Sequence, residues 1–432
     1  MSINPVAAAT IVMLVLLFLK VPVFASVFAA AATYFFLMPA LPQQIVVQRM
    51  LAGAESIPML AIPFFVCAGT FMNYSGVTKR VMQFCEVLTG RMTGGLAQVN
   101  VLLSTLMGGL SGSNLADAAM EAKMLVPEME KRGFSKEFSS VVTACSAMIT
   151  PLIPPGIAMI VYGSIANVSI GNLFIAGIGP GVLLCVSMML LVSLISKKRG
   201  YKPIRTERMS SKEFWSALKA AALPLCLPVI IIGGIRLGVF TPTEAGTVAI
   251  VYSLTLGLVY RELTMKAFIK GMKETIVTTS GIMLIICAAN AFAWVLTKER
   301  VPQLITELIV GLIDNKYLFL IAVNIFLLFV GMFIEGTAAM IVLVPLLAPI
   351  AAAYGIHEIQ FAMTVIFNMA VGCITPPMGT LMFVTCGITK CKIKNFIIEA
   401  RPFYILLLVC LMLLTFVPVF SVGVLQLFGI GG

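Results

Sequence analysis

The sequence predicts an all-α polytopic membrane protein, built as an inverted-topology repeat with two re-entrant hairpins and two proline-broken helices. Three observations predict it. Of 432 residues, 60% are hydrophobic and only 11% charged, against about 25% charged in a soluble chain, and no soluble fold of this length hides that much apolar surface. The apolar residues gather into runs near the roughly 20 needed to cross a bilayer. And glycines and prolines return to register when the sequence is shifted on itself by 222 residues, as from Gly109 to Gly331.

Candidate spans lie at about 3–19, 22–40, 57–76, 138–168, 173–195, 221–237, 243–260, 276–297, 360–388 and 398–422. The first run, Ile3 to Leu19, lacks a basic leader and a small-residue cleavage site, and Lys20 and more apolar sequence follow. It reads as a retained span, not a signal peptide. Two further stretches, 94–127 and 317–349, break midway at Ser111-Gly112-Ser113-Asn114 and at Glu335-Gly336-Thr337. Each half reads as too short to cross, so each pair is expected as a re-entrant hairpin. Segments 42–56 and 261–275 are too polar to span. The second mixes basic and apolar residues, as an interfacial amphipathic arm does, though an ordinary cytoplasmic loop also fits.

A net charge of +11 would suggest nucleic acid for a soluble protein. Here Lys and Arg cluster between apolar runs, where they set orientation. The basic loop Lys197 to Lys219, with Lys198, Arg199, Lys202, Arg205 and Arg208, is placed in the cytoplasm. The clusters Lys79–Arg91, Lys131–Lys136, Arg261–Lys273 and Lys390–Lys394 fall on the same side, while loops 169–172 and 350–359 hold no Lys or Arg. Arg49, Arg236, Lys298 and Arg300 are exceptions. Both termini are then expected in the periplasm. The ten Cys are scattered without a C-x-x-C and read as small buried hydrophobes. The single His, His357, reads as a surface residue, with proton carrier the alternative.

The register holds without a gap from Gly109 to Pro180. Pro127 meets Pro349, Gly133 meets Gly355, Pro154-Pro155 meet Pro376-Pro377, and Pro180 meets Pro402. The loop after the first hairpin holds Lys131, Arg132 and Lys136, whereas its counterpart at 350–359 holds no basic residue. The halves therefore enter the membrane from opposite sides, an architecture of many secondary transporters. In lipid, a broken helix survives only where it is buried or lines a wet cavity. This chain breaks helices at four corresponding places: the two hairpin tips, Thr150-Pro151-Leu152-Ile153-Pro154-Pro155-Gly156, and Thr375-Pro376-Pro377-Met378-Gly379. Proline removes a donor and frees carbonyls. Carbonyls with Ser, Thr and Asn oxygens suit a hard cation such as Na+, and facing helix N-termini suit an anion. The reading is two cation sites with an anionic solute between them. Asp117, Glu121, Lys123 and Glu335 are charges inside apolar stretches, costing about 2.5–3.5 kcal/mol each on insertion scales. Ion ligation, hydrogen bonding between hairpin and scaffold, and cytoplasmic exposure all stay open for them. Gly108-Gly109 and Gly233-Gly234 read as close-packing positions. There is no Walker motif, nucleophile elbow or metal cluster, so the chain reads as a non-enzyme that does not hydrolyse ATP.

Four motifs carry a resemblance. They are Gly109-Leu110-Ser111-Gly112-Ser113 with Ala116-Asp117; Ile153-Pro154-Pro155-Gly156; Gly238-Val239-Phe240-Thr241-Pro242-Thr243-Glu244-Ala245-Gly246; and Ile374-Thr375-Pro376-Pro377. Across essentially its whole length the chain resembles the large membrane subunit of TRAP (tripartite ATP-independent periplasmic) transporters, of the ion transporter superfamily. The resemblance implies an elevator-type secondary transporter of the bacterial inner membrane. It implies coupling to Na+ and an organic acid as cargo: sialic acid, a dicarboxylate, or a sugar or keto acid. It also implies a small four-helix membrane subunit, expected as a separate chain, and a periplasmic substrate-binding protein. No cofactor is implied. Carried over by position, the Na+ sites would comprise Ser111, Gly112, Ser113, Asn114, Thr150, Pro154 and Gly156, and Glu335, Gly336, Thr337, Thr375, Pro376 and Gly379. Substrate would meet Ser113, Asn114, Thr337, Pro155 and Pro377. The expected division is 1–90 and 221–312 as scaffold with arms, 91–195 and 313–432 as transport parts, and 196–220 as cytoplasmic linker. The alternatives are a self-sufficient Na+/carboxylate symporter and, more distantly, a membrane-embedded scaffold or enzyme.

Overall fold

The computed structural model describes residues 4–19, 21–207 and 209–430, so Ile3, Lys20 and Arg208 lie outside the described residues. All its regular elements are helices. The first half runs α1 (Pro5–Phe18), α2 (Val23–Leu37), α3 (Gln44–Ala54), α4 (Ala61–Tyr74), α5 (Val77–Thr89), α6 (Gly95–Ser111), α7 (Asn114–Lys131), α8 (Lys136–Ser146), α9 (Ile157–Ala166) and α10 (Ile170–Arg199). The second runs α11 (Ser211–Arg236), α12 (Pro242–Val259), α13 (Met265–Lys298), α14 (Val301–Leu312), α15 (Lys316–Gly331), α16 (Gly336–Ala353), α17 (Glu358–Gly372), α18 (Thr380–Thr389), α19 (Ile393–Phe416) and α20 (Val422–Leu427). Six of these are long and apolar enough to cross a membrane, or seven if α8 and α9, bent by 42° at their break, count as one span.

Helix boundaries follow the sequence register. Shifted by 222, α7 spans 336–353, the same residues as α16, and the starts of α8, α9 and α10 fall within one residue of those of α17, α18 and α19. One difference stands out. In the first half α3 and α4 are separate, with a 3-10 turn at Ile57–Leu60 between them, whereas the second half has the single 34-residue α13, about 51 Å long. The expected arm at 261–275 is therefore not a separate element. Thr264 caps the helix by accepting from Ala267 N at 3.2 Å, no proline or glycine turn interrupts the next residues, and the polar start runs straight into the span. Segment 42–56 does form a short isolated helix, α3, packed on α13.

Two length expectations also change. α1, α2 and α4 have 14, 15 and 14 residues, about 21–23 Å of helix, short of a hydrocarbon core of about 30 Å. Conversely α16, the second arm of the second hairpin, reaches Ala353 and is long enough to cross by length and composition. Length alone thus does not separate a hairpin arm from a span here.

Glycines set how closely the tips approach their neighbours. A Cβ on Gly108 would stand 2.9 Å from Thr150 Cα, and one on Gly331 3.0 Å from Gly372 Cα. Thr150 and Gly372 are themselves 222 residues apart, so each hairpin packs against the same point of its own broken helix. Gly69 lets α4 approach the first tip, with its Cβ position 2.5 Å from Ser111 O. Gly234 packs on the Phe240 ring, while Gly233 faces open space. The Thr241–Glu244 run is a capping box with Pro242 in the first turn of α12, and Gly246 brings that helix onto Phe64 of α4. Its part in the motif is architectural. The expected linker 196–220 is irregular only between α10 and α11. Arg205 pins it by donating to Val87 O at 2.9 Å and pairing with Glu213 at 3.3 Å.

Candidate functional site: a polar cavity between two hairpin tips

Both tips are made by helix N-caps. Gly112, at φ 64°, turns the chain out of α6, and the Ser113 hydroxyl accepts from Ala116 N at 3.4 Å to start α7. At the corresponding position of the second half, the Glu335 carboxylate accepts from Ala338 N at 2.9 Å to start α16. Each tip thus presents the positive end of a helix beside a cluster of hydroxyls or amides. The two tips wall one cavity of about 730 Å³. Ser111, Gly112, Ser113 and Asn114 line it from one side, and Glu335, Gly336 and Thr337 from the other.

The broken helices take different parts. At the first break, Thr150, Pro154, Pro155 and Gly156 are buried and lie beneath the tip, with Ile157 N donating to Gly112 O at 3.4 Å. Pro151, Ile157 and Ala158 reach the cavity wall. The second break supplies only Cys373 to the wall. Thr375, Pro376, Pro377 and Gly379 are not among the lining residues, as Thr150, Pro154 and Gly156 are not at the first break. Thr375 Oγ1 donates to Val371 O at 2.7 Å, and Tyr404 Oη donates to the preceding Ile374 O at 3.0 Å. Leu381 N closes on Cys373 O at 2.9 Å. The Pro154–Pro155 and Pro376–Pro377 bonds are both cis.

Asp117 and Glu121 face away from the cavity and are fully buried. Thr150 Oγ1 donates to Asp117 Oδ2 at 2.8 Å, and Ser104 Oγ to Glu121 Oε2 at 2.7 Å. Asp117 Oδ1 and Glu121 Oε1 have no hydrogen-bond partner. The acids tie the second hairpin arm to the first arm and to the break, and two oxygens stay free below the tip. Hard oxygen donors of this kind fit a Na+ ion. Among the described residues no three His, Cys, Asp or Glu side chains converge on one point, so an ion here would rest mainly on hydroxyl, amide and carbonyl oxygens.

Sequence reading missed the far wall. Asn73 and Tyr74 of α4 and Lys270, Glu274 and Thr278 of α13 line the same cavity, as does Lys123 of α7. Tyr74 Oη donates to Glu274 at 2.8 Å. Lys123, whose role the sequence left open, lines the cavity and is exposed. The α13 residues recur every four positions, which is a local signal for a polar stripe within a span. His357 is exposed and caps α17 by accepting from Ile359 N at 3.2 Å. Seven of the ten cysteines are buried and all are free.

A helical multi-pass membrane protein whose two helix-capped tips face one chamber has the construction of a transporter. The comparisons place it further. Residues 10–420 match the family model for the tripartite ATP-independent periplasmic transporter, DctM component. The chain is 38% identical over 414 residues, 96% of each chain, to the sialic acid TRAP transporter large permease protein SiaM of Vibrio cholerae serotype O1. It is 32% identical over 432 residues, covering 96% of this chain and 98% of the relative, to the C4-dicarboxylate TRAP transporter large permease protein DctM of Rhodobacter capsulatus. The crystal structure of the Alcanivorax borkumensis YdaH transporter shares the fold, with a TM-score of 0.63 and 14% identity over 89% of this chain and 88% of that one. The protein belongs to the DctM component family of tripartite ATP-independent periplasmic transporters and is a multi-pass protein of the bacterial inner membrane.

Proposed function

We propose that this chain is the carrier subunit of a Na+-driven importer for an organic acid, handed over by a periplasmic binding protein and assisted by a small membrane subunit. The observation that carries the reading is the shared chamber: two helix N-termini with polar tips face one cavity of about 730 Å³. Helix N-termini favour a carboxylate, and the tip oxygens and freed carbonyls favour Na+. Relatives named for sialic acid and for C4-dicarboxylates support an acid as cargo.

In this reading the first Na+ site takes Ser111 to Asn114 with Thr150, Pro154 and Gly156. The second takes Glu335 to Thr337 with Thr375, Pro376 and Gly379, and the acid lies between Ser113, Asn114 and Thr337. Each tip packs on the middle of a broken span, the depth expected of a re-entrant hairpin. The halves form an inverted repeat, and hairpins with their broken helices (91–195 and 313–432) move as an elevator against the scaffold (1–90 and 221–312). The basic ends of α7 and α13 then lie in the cytoplasm, so the cavity opens inward.

Reconstitution of the chain with its partners in liposomes tests this, with labelled N-acetylneuraminate and succinate as probes. Uptake of one acid is expected only with an inward Na+ gradient and only with binding protein present, and Ser113→Ala is expected to lower it. Uptake by the purified chain alone would instead favour a self-sufficient symporter. Failure of every gradient to drive either acid would remove the reading.

A further inference from the structure

The cavity holds four charged side chains, and they are not equally engaged. The carboxylates have donors: Tyr74 Oη for Glu274 and Ala338 N for Glu335. The ammonium groups of Lys123 and Lys270 have no carboxylate within 4.0 Å among the described residues. Lys270 lies 5.7 Å from the Tyr74 ring centre, and Lys123 makes no ion pair. Two lysines and two carboxylates therefore share one chamber, and only the carboxylates are held by hydrogen-bond donors.

Their placement is directional. Lys123 lies nine residues down α7 from the first tip, about 13 Å along the helix axis, toward the basic loop that holds Lys131 and Arg132. Lys270 lies one and a half turns into α13, on the face that carries Glu274 and Thr278 toward the same cavity. One lysine rides on a hairpin and the other on a scaffold helix, at the basic end of the chamber. We propose that Lys123 and Lys270 form a second anion station, which takes the carboxylate of the cargo as it leaves the tips for the cytoplasm. The proposal rests on the carrier reading above and adds a site that reading does not contain. A lysine pair offers point charge without the bidentate geometry of arginine, which suits a transit station that binds weakly and releases.

A charge-selective probe tests the station without knowledge of the cargo. Thr278→Cys is placed in native membranes of the full transporter, and its labelling is followed by an anionic and a cationic methanethiosulfonate reagent. With both lysines present the anionic reagent is expected to react severalfold faster relative to the cationic one than in their absence, because Glu274 and Glu335 offset part of the lysine charge. Lys123→Gln with Lys270→Gln is expected to abolish that preference, and Lys123→Arg with Lys270→Arg to keep it. An equal reagent ratio in the parent and the double Gln protein would overturn the station. In liposomes the double Gln variant is expected to slow transport of N-acetylneuraminate or succinate severalfold while its dependence on Na+ is unchanged. Wild-type transport matched by the double Gln variant overturns the station alone. If the parent carries neither acid, the carrier reading falls, while the reagent ratio still decides whether the mouth selects anions.

Discussion

The two broken helices come from one pattern but are closed to different degrees. At the first, Pro154, Pro155 and Gly156 are buried, and Gly112 sits so close that a Cβ there would stand 2.7 Å from Pro155 O. At the second, Pro377 and Met378 are exposed, and the position matching Gly112 is Ile334. The first hairpin seals its break; the second leaves its own partly open. The difference extends inward. The first hairpin buries Asp117 and Glu121, where the second carries Ala339 and Leu343. Polar fixation in the second half moves to Asn324, which receives the Asn368 amide at 2.6 Å and donates to Thr415 at 3.0 Å. Two halves in one register of helices thus differ in how their breaks and hairpin arms are packed. The comparison teaches that one register of helices carries unequal packing at its two breaks.

Four sets of variants sharpen that comparison. The largest effect is expected at the first seal. Gly112→Ala forces a side chain into the left-handed region, at about 1–2 kcal/mol, and into contact with Pro155 O. Thermal stability in detergent should fall clearly and transport with it, while Ile334→Ala and Gly336→Ala, whose Cβ would stand 3.1 Å from Met369 Cβ, should do less. Equal damage at both tips would break the asymmetry. Next come the buried acids. Ser104→Ala removes the donor to Glu121 and should cost about 1–3 kcal/mol of stability. Adding Glu121→Leu, the residue type of the second half, should recover most of the loss, because no buried carboxyl is then left unpaired. A strictly additive double variant would contradict the pairing. In the second half, Asn324→Ala should cost about 1–2 kcal/mol, the range for polar contacts between membrane helices, read again as a shift in melting temperature. The smallest effect is expected at the caps. Ser113→Ala and Glu335→Ala should each cost about 1 kcal/mol or less, yet lower Na+-driven uptake more than that loss explains, because both residues face the cavity.

Much of this was legible in the residues. Apolar runs gave the helices, and interruptions at Ser111 to Asn114 and Glu335 to Thr337 gave the tips, because a polar cluster inside a span has few places to go. The shift of 222 residues foretold helix boundaries that the structure repeats within a residue. What stayed hidden depended on tertiary packing. Lys270 and Glu274 lie in a segment whose polarity suggested an interfacial arm, since polarity alone does not tell water at a membrane surface from water in a chamber. Their spacing of four, continued at Thr278, was the available clue. The proline pairs marked both breaks, but nothing local told that one is sealed and the other not, because the seal is made by Gly112, more than forty residues away in sequence. Thr375 Oγ1 donates to Val371 O of its own helix, a contact that the motif alone did not indicate.

The most direct measurement asks whether the two tips share one occupied chamber. Ser113→Cys and Thr337→Cys, made singly in the full transporter, are exposed to a membrane-impermeant maleimide from the cytoplasmic side. Both cysteines should react, and Na+ together with N-acetylneuraminate or succinate, at transported concentrations, should protect both. Labelling of one tip only, or protection of neither by an acid the protein carries, would contradict a common site.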